Sequence, residues 1–345
     1  MPDVEFAVIG AGMAGLATAR CLALAGREVV VFEQFRVGHG RGSSHGASRI
    51  FRLSYPDAGY VRLAMQALPL WWELEREVGE CLIVPTGGLD CGAPLAEHAA
   101  ALAACGARYE MLDGAQAAAR WPALSFAPEE TVLYQADAAL TRADAALRAL
   151  KRSATEQGAT VREETHVRAL RRRGERVVMD TTIGTWTCSV AVVAAGGWAR
   201  PLLAAAGIDI PVVATRQTVA YFGIAGAERL PPLVDWGEPI FYALASPGQG
   251  LKAGIHHSGP ETDPDEPGEV DPATVDLVAE RVARRYPGAE PRPHHTETCI
   301  YTSTSDEHLI LERRGRIVIG SACSGHGFKF APLTGRTLAD LAIAG

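Results

Sequence analysis

Gly10, Gly12 and Gly15 stand in a Gly-x-Gly-x-x-Gly pattern directly behind a short apolar run, Phe6–Gly10. Each glycine answers a different demand. Gly10 permits a tight turn, Gly12 lets the backbone approach a pyrophosphate, and Gly15 lets the following helix press against the strand. The start of that helix offers free N–H groups and a positive partial charge to an anion. Glu33 closes the next apolar run, where a carboxylate accepts hydrogen bonds from ribose hydroxyls and repels a 2′-phosphate. The pattern predicts a dinucleotide site and argues against NADP; it does not separate NAD from FAD. The seven cysteines contain no Cys-x-x-Cys pair and their number is odd, which fits free thiols in a reducing compartment. No metal centre is expected.

These residues need elements to hold them. Phe6–Gly10, Met13–Ala25 and Val29–Glu33 read as strand, helix, strand, the opening of a doubly wound sheet. Helices are predicted over Leu63–Gly79, Pro94–Cys105, Gly114–Arg120 and Arg142–Gln157, the last ended by Gly158. Val132–Tyr134, Val161–Arg162, Val167–Leu170, Arg176–Asp180 and Ala191–Ala195 read as strands. From Val212 to Tyr301 short β-like runs are separated by Gly and Pro, with one helix at Pro272–Tyr286. Glu261–Pro272, acidic and proline-bearing, is predicted to be an exposed loop. A strand at Ile317–Gly320 and a helix at Thr334–Ala344 close the chain.

At 345 residues, with 48% apolar and 21% charged residues, the chain suits two joined domains with ordinary cores. A net charge of −7 argues against a nucleic-acid partner. The longest basic run, Arg171–Arg173, reads as a solvated turn between strands. Residues 2–10 are charged and then strand-like, so no signal peptide is expected. No run reaches the ~20 apolar residues of a membrane span. A cytoplasmic protein is expected.

Four further segments narrow the reading. Val190–Ala195 followed by Gly196-Gly197-Trp198 resembles the second nucleotide-side motif of D-amino-acid-oxidase-like FAD enzymes. Gly42-Ser-Ser-His45-Gly-Ala-Ser-Arg49-Ile-Phe-Arg52 resembles the flavin-contacting segment of the monomeric sarcosine oxidase and N-methyltryptophan oxidase family. Cys299-Ile-Tyr301 with Asp306-Glu307-His308, and Ser324-Gly325-His326-Gly327-Phe328-Lys329-Phe330, agree with it.

The resemblance implies FAD, tethered by a thioether from Cys299. It implies that Lys252 activates oxygen, that Arg52 and Lys329 hold a substrate carboxylate, and that Tyr242, His256 and Tyr301 line the substrate side. A fork-shaped guanidinium and a point-charge ammonium suit that carboxylate. His45 and Arg49 would sit by the flavin ring, with Gly196 in the nucleotide-side turn. The turn Gly325–Gly327 would aim N–H groups at the flavin. The segment Leu53–Asp57, with Pro56, is shorter than its counterpart in relatives.

The expected fold is an FAD-binding Rossmann-like doubly wound α/β domain (1–82, 139–211 and 307–345). Into it is inserted an α+β substrate domain on a mixed, largely antiparallel sheet (83–138 and 212–306). The expected activity is a monomeric FAD-dependent oxidase of a secondary, N-methyl amino acid such as sarcosine, with molecular oxygen as acceptor. An oxidase of a cyclic imino acid resembling pipecolate or of a biosynthetic intermediate, and a flavin amine dehydrogenase using another acceptor, are the alternatives.

Overall fold

A computed structural model describes residues 1–92, 95–321 and 323–344. Strands Thr160–Arg162, Val29–Phe32, Asp3–Ile9, Gly184–Val193 and Ile317–Ser321 lie side by side, all parallel. Such strands are buried on both faces and read as unbroken apolar runs, as Val29-Val-Val-Phe32 does. Helix Met13–Leu24 covers one face, and helices Ala143–Glu156 and Ala331–Ile343 lie against it. Gly335 makes the last contact possible: a Cβ there would lie 2.4 Å from the Ala17 carbonyl carbon. Arg20, nearly buried among these helices, donates to Glu77 (3.0 Å) and Ser153 (2.9 Å). An antiparallel meander, Val167–Arg173 and Arg176–Thr181, extends from Gly184–Val193.

A second sheet runs in the order His295–Ser303, Val213–Phe222, Gly250–Ile255, Phe241–Ser246, Leu233–Asp235, Gly88–Cys91, Thr131–Gln135, Glu110–Asp113. Only Leu233–Asp235 beside Gly88–Cys91 is a parallel pair, so the sheet is mixed and largely antiparallel. Alternation along its strands decides its two faces. Leu251, Ala253 and Ile255 join Phe222, Val278, Val282 and Tyr286 in a core beneath helix Pro272–Arg285. Lys252 and His256 point the other way, into a cavity between the two sheets. A small sheet of Ser48–Phe51, Ala139–Arg142 and Ile83–Val84 bridges the halves.

The expected α/β architecture is present, with differences of detail. The helix expected at Leu63 begins at Ala58, because Asp57 accepts from the Gly59 N–H as its cap. Helix Leu95–Ala104 matches the one predicted from Pro94, which lies outside the described residues. Arg171–Arg173 is not a turn: the triplet ends a strand, and Gly174, at φ +60°, turns the chain. The segment 261–272 is largely exposed, but Asp265 accepts from the Trp198 indole (2.7 Å) and reaches the cavity wall. Among the described residues no helix is long and apolar enough to cross a membrane.

Candidate active site

A cavity of about 790 Å³ runs from the glycine turn to the second sheet. At one end the backbone makes the wall. Gly10 has φ +99°, and a Cβ on it would meet the Ala194 carbonyl oxygen at 2.5 Å. A Cβ on Gly15 would lie 1.9 Å from the Gly10 carbonyl, so only hydrogen fits between helix and strand. Gly10, Gly12 and Gly196 line the cavity; Gly15 lies behind it and sets the packing. Glu33, almost fully buried, accepts from Ala11 N–H (2.8 Å) and Phe35 N–H (2.9 Å). Those bonds fix its carboxylate at the wall, and each oxygen keeps acceptor capacity for a hydroxyl. Ser44, unremarked in the sequence, accepts from Met13 N–H (3.2 Å) at the helix start.

The motif Gly42–Arg52 then crosses to the second sheet. Arg49 donates to the carbonyls of Ser43 (2.8 Å), His45 (2.7 Å) and Ser48 (2.8 Å), tying its own loop while one face lines the cavity. His45 is buried but is not part of the cavity wall. Burial, with the Arg49 charge, lowers its pKa to about 4 and keeps the ring neutral.

Lys252, Tyr242, Cys299 and Tyr301 project from one face of the second sheet into the cavity. The Lys252 ammonium lies 3.6 Å from Glu297, which also accepts from the Tyr221 hydroxyl. Burial, helped by the Arg49 charge, lowers the Lys252 pKa to about 8. Burial works against the charge of Glu297, yet Tyr221 and Lys252 hold its carboxyl below its ordinary value. Glu297 is a site residue that sequence reasoning missed. Its strand position two residues before Cys299 was the available signal. Burial pushes the Cys299 thiol up, against the nearby Lys252 charge.

At the far end two cations bracket Tyr55. The Arg52 guanidinium lies 4.2 Å from the Tyr55 ring centroid and 4.9 Å from that of Trp236. Lys329 donates to the Tyr55 hydroxyl (2.9 Å) and to the His326 carbonyl (2.7 Å). Burial, then the Arg52 charge, drives the Lys329 pKa well down. Among the described residues neither cation has a carboxylate within ion-pair distance. Asp90 stands behind Trp236, whose indole donates to it (2.8 Å), and Gln135 donates to it as well (2.8 Å). Tyr55, Trp236 and Asp90 escaped sequence reasoning because they come from separate, short elements. The short Leu53–Asp57 segment turns out to supply Tyr55.

Gly325 and Gly327 line the cavity. The turn's N–H groups are partly engaged elsewhere: His326 and Gly327 donate to the Cys323 carbonyl (2.7 and 2.8 Å). His256 lines the cavity mouth, and burial lowers its pKa. Of the sixteen residues singled out from sequence, all but Gly15 and His45 line this one cavity.

The profile of the family "FAD dependent oxidoreductase" matches residues 5–341. The chain belongs to this family. It is 35% identical to peroxisomal sarcosine oxidase of Mus musculus over 97% of this chain and 91% of that one. It is 30% identical to monomeric sarcosine oxidase of Arthrobacter sp., over 99% and 93%. Among solved structures, NikD, an amino acid oxidase essential for nikkomycin biosynthesis, superposes with a TM-score of 0.90 at 26% identity, covering 99% of this chain and 94% of that one. The protein is thus an FAD-dependent oxidoreductase. FAD fits the cavity on its own terms. The cradle has no room for a Cβ at Gly10, and Ser48, Thr302 and Ser321, which line the same cavity, carry unpartnered buried hydroxyls.

Proposed function

We propose that the protein oxidises the C–N bond of a secondary, N-methyl amino acid to an imine and passes the electrons to oxygen, giving hydrogen peroxide. The convergence of Arg52 and Lys329 on the cavity that the glycine turn also lines, with no carboxylate within ion-pair distance of either among the described residues, carries this reading. Two such cations call for an anion, and an amino acid brings one. The sarcosine oxidases among the relatives support the N-methyl class.

FAD, when bound, supplies the two-electron oxidation. Gly10, Gly12, Gly196 and Glu33 would hold its nucleotide end, and Cys299 would carry a covalent tether. Arg52 and Lys329 bind the substrate carboxylate, with Tyr55 as the wedge that spaces them. Tyr242, Tyr301 and His256 shape the wall that orients the amine and excludes water. Lys252 holds a positive charge in the buried part of the cavity, where it stabilises negative charge developing on oxygen. The separation of the two large sheets supports a division into a discontinuous FAD domain and an inserted substrate domain. A cytoplasmic monomer suits the unpaired cysteines.

A substrate panel under air, read by peroxide release, tests the proposal. Simple N-methyl amino acids are expected to yield peroxide. Turnover only with an artificial dye, without peroxide, would favour the dehydrogenase alternative.

A further inference from the structure

His256 and His257 form the turn that follows strand Gly250–Ile255 of the second sheet, while Glu307 sits in the segment ahead of strand Ile310–Arg314. About fifty positions apart in sequence, they meet at the cavity mouth. Glu307 carboxylate oxygens lie 3.3 Å from His257 Nε2 and 3.9 Å from His256 Nε2. One ligand atom from each residue falls within 4.8 Å of the others. His257 and Glu307 both hold left-handed backbone, at φ +55° and +59°, which non-glycine residues seldom adopt. The fold thus sustains two uncommon conformations that turn these side chains toward one point. Thr304 donates to the His308 carbonyl (3.0 Å), and His308 N–H donates to Asp306 (3.1 Å), bracing the Glu307 turn.

We propose that His256, His257 and Glu307 form a site for Zn2+, or a divalent ion of similar preference, across the mouth of the cavity. Two imidazoles and a carboxylate are a common zinc donor set, with bonds of about 2.0–2.2 Å. Tetrahedral ligands at that range stand about 3.3 Å apart, the separation His257 and Glu307 already have. His256 needs only a small side-chain movement to join, and Glu307, half exposed, can supply it. His256 and Glu307 both line the cavity, so an ion held between them would narrow the path to Arg52 and Lys329. The inference goes beyond the oxidase reading, because it concerns binding of an ion whatever the substrate proves to be. It also departs from the sequence expectation of no metal centre: adjacent histidines with a distant glutamate form no recognisable spacing.

The test is Zn2+ binding to the FAD-loaded, chelator-treated protein, counted by equilibrium dialysis, with Co2+ absorption reporting the coordination. One ion per chain is expected, with tetrahedral Co2+ bands. His257→Ala and Glu307→Gln should each weaken it by more than the roughly 10–100-fold cost of losing an outer-shell partner. If the oxidase reading holds, Zn2+ should also slow turnover in the wild type and not in His257→Ala. No stoichiometric ion in the wild type, or wild-type affinity retained in either variant, would overturn the site. Retention of full affinity in both variants would place the ion elsewhere, for example on the exposed Cys81.

Discussion

At Gly10 and Gly15 an added Cβ would come within 2.5 and 1.9 Å of a neighbouring carbonyl oxygen, whereas at Arg52, Lys252 and Lys329 the long side chains themselves form the wall. The first region recognises its ligand by backbone shape, and nearly any side chain would be in the way. The second works by charge, placing three cations on a partly apolar surface and letting burial pull two of their pKa values down. A backbone site tolerates no substitution at its contact points but asks little of its surroundings. A side-chain site depends on neighbours: Glu297 and Tyr221 for Lys252, Tyr55 and Trp236 for the clamp. Damage should therefore be all-or-none in the first region and graded by reaction step in the second.

The largest effect is expected at the backbone end. Gly15→Ala should abolish FAD incorporation, because the new methyl must displace either the strand or the helix. Flavin absorbance per chain reports it, and normal loading would mean that the cradle yields more readily than its spacing implies. Next in size, Lys252→Met should slow reoxidation by oxygen on the order of 10²–10³-fold and leave reduction by substrate nearly unchanged. Stopped-flow traces separate the halves. The same lysine sets a pH signature. Its cation is present below about pH 8 and is lost above it, so the oxygen step should fall as pH rises through that value. In Lys252→Arg the fall should vanish, since a guanidinium stays charged. The smallest effect belongs outside both regions. Arg171 pairs with Asp180 on an exposed strand, where solvent screens the pair, and Arg171→Ala should leave the midpoint of denaturant unfolding nearly unchanged.

The two regions also differ in how legible they were in sequence. Gly10, Gly12, Gly15 and Glu33 lie within 24 positions, and their spacing alone states a turn, a close approach and an acceptor. Arg52, Lys252 and Lys329 are nearly 280 positions apart at their extremes, and no periodicity joins them. Only resemblance of their local motifs to a family suggested a common pocket. Tyr55, Trp236, Asp90 and Glu297 had no such motif, since their place depends on pairing between strands distant in sequence. Strands such as Gly88–Cys91 and Glu110–Asp113 escaped notice for a related reason. They are four residues long, and two of them begin or end on residues with weak strand preference.

The central claim is that the side-chain region reads a carboxylate. The direct measurement is kcat/KM for an N-methyl amino acid and for its decarboxylated amine, in the wild type, Arg52→Met, Lys329→Met and the double variant. The wild type should strongly prefer the amino acid. Each single variant should lose most of that preference while sparing the amine, and the double variant should lose less than the two single losses combined, because both cations hold one anion. If the amino acid and the amine suffer equally in every variant, Arg52 and Lys329 support the fold or the cofactor, and the substrate is a plain amine.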